Sequence, residues 1–331
     1  MRDATESAEE RLIARYFRPL ATHPGALALG DDAAVLTPPT GCDLVLTTDG
    51  VIAGVHFLPD DPPETIGRKV LRMNLSDLAA KGAEPVGFLL SVALPSGLDE
   101  VWLAAFVQGL GEDAARYRCP LLGGDTDHTP GLLSASIAAF GAVPCGGMVR
   151  RSTAKAGDCV VVTGTIGDAA LGVKLRRDPS LGARWQLIEA MSLDLQQRYL
   201  LPQPRSALAA AVQRYASAAM DVSDGLAGDL AKLCRASAVG VEIDVSRIPL
   251  SDAARAALAA APELMDTLLT GGDDYEIILT AAPEKLPTLQ AAAHAAGVPV
   301  TEIGNVQAGE GARFMLHGKA LSFARPSYSH F

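Results

Sequence analysis

The sequence predicts an α/β fold of the α+β type in two domains, and three observations predict it. The chain has 331 residues, more than one hydrophobic core serves well, because single cores stop growing near ~250–300 residues. Short aliphatic, β-branched runs alternate along it with longer stretches of helical period. Midway, at 144–158, "PCGGMVRRSTAKAGD" breaks the apolar pattern with glycine, proline and basic residues before a new strand-like run, "CVVVTG", begins. The boundary falls there, giving domains 1–145 and 146–331.

In the first domain, strand-like runs at about 43–48, 86–94 and 132–143 surround two helical patterns, from Glu64 to Lys81 and from Asp99 to Arg118. Ile66, Val70, Leu71, Leu75 and Leu78 recur at helical spacing and form a face that wants burial. Asn74, Asp77 and Lys81 are spaced three and four apart on the same helix, a polar stripe that pattern alone reads as a solvated face. In the second domain, alanine-rich helices are expected near 167–177, 185–199, 206–217 and 225–238. After them come "VEIDV", a further helix, "YEIILT", a helix near 284–296 and a closing hairpin, "RFMLHGKALSFA".

Composition excludes several classes. Apolar residues are 49% and charged residues 20% of the chain, a globular and not a disordered balance. Lys and Arg total 28 against 38 Asp and Glu, with no basic run and few aromatics, so nucleic acid is not an expected partner. No apolar run approaches the ~20 residues of a membrane span, and "MRDATESAEERL" is too charged for a secretory signal. No membrane association and a cytoplasmic location are expected. Cys42, Cys119, Cys145, Cys159 and Cys234 are scattered, with no C-x-x-C pair, which indicates neither a zinc site nor a disulfide framework. His23, His128, His294 and His317 show no metal-ligand spacing.

The chemistry-bearing signal is a recurring device of acids after apolar runs: Asp31 and Asp32, Asp49, Asp125, Asp221 and Asp224, Asp273 and Asp274. Any one of these can be read as a turn or helix-capping residue. Five such sites together are harder to read that way, because turns after strands converge where ligands bind in α/β proteins. Converging carboxylates repel unless cations sit between them, and hard, oxygen-liganded Mg²⁺ takes carboxylates together with waters and substrate phosphates. Gly123 and Gly124, or Gly271 and Gly272, would let backbone N–H groups approach a phosphate. The common phosphate motifs are absent: "GDAALGVK" is the nearest approach to a P-loop, and there is no G-x-G-x-x-G and no protein-kinase H-R-D or D-F-G set.

Eight motifs in order, "GDDAAVL", "TTDGVIAGVHF", "NLSDLAAKGAEP", "LLGGDT", "RRSTAKAGD", "DVSDGLAGDL", "GGDDYE" and the terminal "HF", resemble the thiamine-monophosphate kinase family of the aminoimidazole ribonucleotide synthetase-like superfamily. The resemblance runs from about residue 11 to Phe331. It implies two α/β domains, a homodimer formed through the N-terminal sheet, and ATP held with several Mg²⁺ ions in the cleft between domains. By the same resemblance Asp32, Thr47, Thr48, Asp49, Asp77, Asp125, Asp221 and Asp224 would hold Mg²⁺. Tyr117, Gly124, Asp125, Arg151 and Ser223 would hold ATP, and His56 and Asp273 would face thiamine monophosphate. His56, read without the resemblance, is an ordinary loop histidine. Relatives often have Glu where this chain has Asp273, and a tryptophan where it has Arg325. A guanidinium would repel the thiazolium cation, so an aromatic neighbour, Tyr328 or else Phe323, is expected to supply the ring.

The implied activity is direct in-line transfer of the γ-phosphoryl group of ATP onto thiamine monophosphate, giving thiamine diphosphate and ADP without a phosphoenzyme. The rivals are another ATP-dependent synthetase of the superfamily and a catalytically silent Mg²⁺- or nucleotide-binding dimer. Selenophosphate synthetases and the hydrogenase-maturation dehydratase use a cysteine or selenocysteine near one terminus, whereas here the first cysteine is Cys42 and the last residue is Phe331.

Overall fold

The computed structural model describes residues 7–325 and residue 327. The chain forms two compact units, one built from residues up to Leu78 with Glu84–Gly146, the other from Ala79–Ala83 with the chain from Gly147 onward.

The first unit begins with the short helix α1 (Ala8–Leu12), whose Ser7 and Glu10 form a reciprocal capping box. It continues through β1 (Cys42–Ile52), α2 (Pro63–Ala80), β2 (Glu84–Pro95), α3 (Glu100–Arg116), β3 (Leu121–Thr129) and β4 (Ser134–Pro144). The strands form one sheet in the order β1-β4-β2-β3, with only β2 and β3 parallel. The expected apolar face of α2 is buried: Ile66, Val70, Leu71, Leu75 and Leu78 are all in the core. Helices α2 and α3 meet backbone to backbone, because a Cβ on Gly67 would overlap the Phe106 carbonyl and one on Gly109 the Glu64 carbonyl. At that contact the buried Arg72 guanidinium bonds the fully buried Asp113 carboxylate, with Nε at 2.5 Å.

Along β1 the residues alternate in burial. Val45 and Val51 lie in the core with Thr47 and Asp49 on their face, while Leu44, Leu46 and Thr48 point to the other side. That other side is apolar and open, with Leu46 65% and Ile52 43% exposed.

The second unit contains β5 (Cys159–Thr163), α4 (Asp168–Arg177), α5 (Leu181–Arg184), α6 (Glu189–Leu200), α7 (Ala209–Tyr215), β6 (Ala218–Val222), α8 (Leu226–Ser237) and β7 (Gly240–Asp244). It closes with α9 (Asp252–Ala260), α10 (Leu264–Thr270), β8 (Glu276–Ala281), α11 (Leu286–Ala295), β9 (Val300–Gln307), β10 (Gly311–Leu316) and β11 (Lys319–Leu321). Its seven strands run in the order β11-β10-β7-β9-β5-β8-β6. Strands β5, β6 and β8 are buried along their whole length. Val160 and Val162 enter one core and Cys159 and Val161 the other, so both faces of the sheet are covered at these three strands.

The structure departs from the sequence reading in several places, among them β9 (Val300–Gln307), which was not expected. One helix expected between "VEIDV" and "YEIILT" is two, α9 and α10. The stretch at 121–129 is a strand, β3, although its glycines and acids read as the end of one. For the same reason Asp49, Asp125 and Asp221 lie within strands β1, β3 and β6, not in the turns after them. Among the described residues no helix is long and apolar enough to cross a membrane.

Candidate active site

Each unit carries its own set of the acids singled out above. In the first, β1 and α2 face each other across polar contacts. The Thr47 hydroxyl donates to Asp77 Oδ2 at 2.5 Å. One turn earlier on α2, Asn74 Oδ1 accepts the Asp49 backbone N–H at 3.0 Å, while its amide donates to the Val70 carbonyl at 2.9 Å. Asn74 is wholly buried. The stripe on α2 is therefore no solvated face: it is the polar seam between helix and strand. Its third member, Lys81, belongs to the second unit, where its ammonium donates to the Ala219 carbonyl at 2.7 Å.

On the opposite side of the sheet, a cavity of about 830 Å³ is lined by Asp31, Asp32, Gly124 and Asp125 together with apolar residues that include Leu46 and Phe140. Asp125 is paired with Ser91 across β2 and β3, just past a bulge that inserts Leu122. Thr48 points to this face and Thr47 to the helix face, so the two threonine side chains do not converge.

His56 closes the turn after β1. Its Nδ1 accepts the Ile52 N–H at 3.1 Å, which places the proton of the neutral ring on Nε2. Tyr117 caps the end of α3 with its ring against the guanidinium groups of Arg116 and Arg72, at 5.3 and 5.9 Å.

In the second unit the acids lie in and after β6. Asp221 is a buried strand residue paired with Ile277 of β8. The chain then turns: Asp273 N–H donates to the Ser223 carbonyl at 2.9 Å, and Tyr275 N–H to the Val222 carbonyl at 2.8 Å. Asp273 adopts φ 73°, the left-handed region. Arg151 is exposed, and its carbonyl accepts the Ser237 hydroxyl at 2.8 Å. Tyr328 lies outside the described residues.

The glycines beside these acids have a packing cause. A Cβ on Gly124 would overlap the Leu90 carbonyl oxygen, one on Gly272 the Ser223 carbonyl, and one on Gly271 the Ala170 side chain. Close backbone approach alone requires glycine at these three positions.

Three groups escaped sequence reading. The fully buried Asp229 accepts the backbone N–H groups of Ser223 and Asp224 at 3.0 and 2.9 Å. Lys232 bonds both Asp224 and Asp229, the latter at 2.7 Å. Burial alone would lower the pKa of that ammonium, and the two carboxylates outweigh it and raise it. The fully buried Glu276 binds Arg198 at 2.7 Å, Arg205 and the Thr163 hydroxyl at 2.6 Å. The i,i+3 spacing of Asp229 and Lys232 was the one legible signal among these.

Apart from His56, the candidate side chains offer oxygen donors or a guanidinium, and no thiol is among them. Among the described residues no three His, Cys, Asp or Glu side chains form a group that could hold an ion unaided. Such a donor set fits Mg²⁺, which is bound by one or two carboxylates with waters and phosphates and not by an all-protein cage.

Residues 30–143 match the family model of the AIR synthase related protein N-terminal domain, and residues 155–317 that of its C-terminal domain. The chain is 44% identical over 324 residues to the thiamine-monophosphate kinase of Caulobacter vibrioides, covering 96% of this chain and 89% of that protein. It is 39% identical to the thiamine-monophosphate kinase of Salmonella typhimurium, covering 98% of each. Among solved structures it is similar to thiamine-monophosphate kinase from Stenotrophomonas maltophilia, with a TM-score of 0.83, 38% identity and coverage of 95% and 98%. AaThiL complexed with AMPPCP and TMP gives a TM-score of 0.76 at 32% identity, covering 91% of each chain.

Proposed function

The chain belongs to the AIR synthase related family, and from that premise we propose that it carries out the ATP-dependent phosphorylation of thiamine monophosphate to thiamine diphosphate. It is a kinase of the thiamine-monophosphate kinase type, with thiamine monophosphate as acceptor and ATP as donor. The observation that carries the assignment is the likeness over nearly the full chain to kinases of that name, one of them solved with TMP and the ATP analogue AMPPCP.

Asp32, Thr47, Thr48, Asp49, Asp77, Asp125, Asp221 and Asp224 would hold Mg²⁺ by side-chain or backbone oxygens. When bound, the ions neutralise charge on the phosphates as two polyanions approach. Tyr117, Gly124, Asp125, Arg151 and Ser223 are assigned to ATP, and His56, Asp273 and Tyr328 to thiamine monophosphate. The acceptor phosphate oxygen is a nucleophile near neutral pH, since a phosphate monoester loses its second proton near pH ~6. No side chain has to remove a proton, so the protein's work is alignment and charge balance. The seam of Thr47, Asp49, Asn74 and Asp77 supports that assignment by fixing the Asp77 carboxylate on the helix and the Asp49 backbone on the strand.

We assign a homodimer to the chain, formed through the open face of the β1-β4-β2-β3 sheet, where Leu46 and Ile52 are exposed. The cytoplasm is its proposed location, in keeping with five unpaired thiols. The test of activity is incubation with Mg-ATP and thiamine monophosphate, followed by oxidation and fluorescence detection of thiamine diphosphate. Product is expected with Mg²⁺ and none with excess chelator. Turnover that survives metal removal overturns the metal assignment, and ADP formed without thiamine diphosphate overturns the acceptor. Light scattering tests the dimer: Leu46→Asp is expected to give monomer, and a wild-type monomer overturns the assignment.

A further inference from the structure

Lys232 is two turns beyond Asp224 and close to one turn beyond Asp229, on the face of α8 that looks back at the loop after β6. One oxygen of the buried Asp229 accepts the N–H groups of Ser223 and Asp224, and its other oxygen accepts the Lys232 ammonium. The same ammonium bonds the Asp224 carboxylate, whose side chain is 34% exposed. Two carboxylates aimed at one point repel unless a cation lies between them. Within the chain itself, that cation is Lys232.

We propose that Lys232 is a resident cation that holds Asp224 in place and competes with the divalent ion for its carboxylate, so that it sets the metal affinity at Asp224. The proposal rests on the assignment of Asp224 as a Mg²⁺ ligand. A dication and an ammonium draw on the same carboxylate charge, and binding of the first weakens the hold of the second. The lysine stem is long and its side chain 29% exposed, so the ammonium has water to retreat into when Asp224 is taken. Asp229 keeps both backbone N–H donors throughout, and the loop retains its shape whichever cation is present. A lysine that merely braced the loop would act oppositely: its loss would loosen Asp224 and weaken metal binding.

The test measures Mn²⁺ binding to the full chain in the presence of equimolar AMPPCP by electron paramagnetic resonance of the free aqua ion, with melting temperature recorded for each variant. Lys232→Met and Lys232→Gln are expected to bind Mn²⁺ roughly three- to ten-fold more tightly than wild type, the gain of removing one partly screened positive charge. Lys232→Arg, which keeps the charge, is expected to stay near wild type, and Asp224→Asn to lose the site. If Lys232→Met does not fold, Lys232→Gln keeps an amide donor for Asp229 and carries the test. Unchanged or weaker binding in the neutral variants, with the site lost in Asp224→Asn, overturns the resident-cation proposal and leaves the metal assignment standing. Wild-type binding in Asp224→Asn overturns both.

Discussion

Thr47 and Asp77 share a hydrogen bond of 2.5 Å between a strand and a helix, and the bond commits the carboxylate to a fixed position. A second bond, from the Asp49 backbone N–H to Asn74, pins the neighbouring turn of that helix to the strand. Asp77→Asn retains an oxygen for the Thr47 hydroxyl and removes only the charge. Its kcat/KM is expected to fall by at least about 100-fold, the scale of losing a metal-holding carboxylate, with a melting temperature close to wild type. Near-normal turnover would leave Asp77 as an anchor for α2 and nothing more.

Asp125 and Gly124 are neighbours on β3 with different tasks, and paired variants separate them. Asp125 is exposed, so Asp125→Asn is expected to abolish or greatly lower turnover with stability unchanged. Gly124→Ala pushes a methyl group into the Leu90 carbonyl, a backbone atom that cannot step aside. It is expected to cost about 1–3 kcal/mol, as other forced overpacking does. Thermal denaturation beside a turnover assay reads both. A Gly124→Ala protein as stable as wild type but inactive would return Gly124 to a purely ligand-facing role.

Those two residues also show what was legible in the sequence and what was not. The apolar period of α2 predicted its buried face because burial of large side chains follows geometry local to the helix. The strand β3 was not legible, because its partner β2 supplies the pairing that "LLGGDTD" lacks in propensity. The polar stripe of Asn74 and Asp77 read as solvated because its partners, Asp49 and Thr47, are some thirty residues away. A still greater distance in sequence hid Glu276, whose arginine partners lie 71 and 78 residues away. The candidate acids were visible as a recurring pattern; their membership of strands, and the division of Thr47 from Thr48 by the pleat, appear only with the sheet in place.

Phe323 bears on the ring proposed to meet thiamine. Its ring stands edge-on to Phe314 at 5.2 Å, packed against the core of the second unit. A residue so used contributes to stability, which strengthens the case for Tyr328 as the substrate's partner. Tyr328→Ala is expected to raise the KM for thiamine monophosphate several-fold, equivalent to one cation–π contact of about 0.5–2 kcal/mol, and to leave the KM for ATP unchanged. Phe323→Ala is expected to lower the melting temperature first. The reverse pattern in steady-state kinetics and thermal melts would exchange the two roles.

Asp274 gives stability a pH dependence of known sign. It is fully buried and accepts the backbone N–H groups of Gly167 and Ala169, at 2.6 and 3.3 Å, at the start of α4. Burial raises its pKa well above the usual carboxylate range, against the Gly167 N–H, which lowers it, and with Asp168, which raises it further. The folded chain therefore holds this proton more tightly than the unfolded chain, whose aspartates titrate near ~3.9. The resulting stabilisation is complete below that unfolded value and is lost as pH rises through the folded pKa. Asp274→Asn stays neutral at every pH and keeps an acceptor for Gly167. Its stability relative to wild type is expected to climb from pH ~4 upward and to level off once Asp274 has ionised in the folded protein. Urea denaturation of both proteins between pH 4 and 8 measures that difference. A difference that is flat across the range would mean that Asp274 titrates alike in the folded and unfolded chain, and that its burial carries no electrostatic cost.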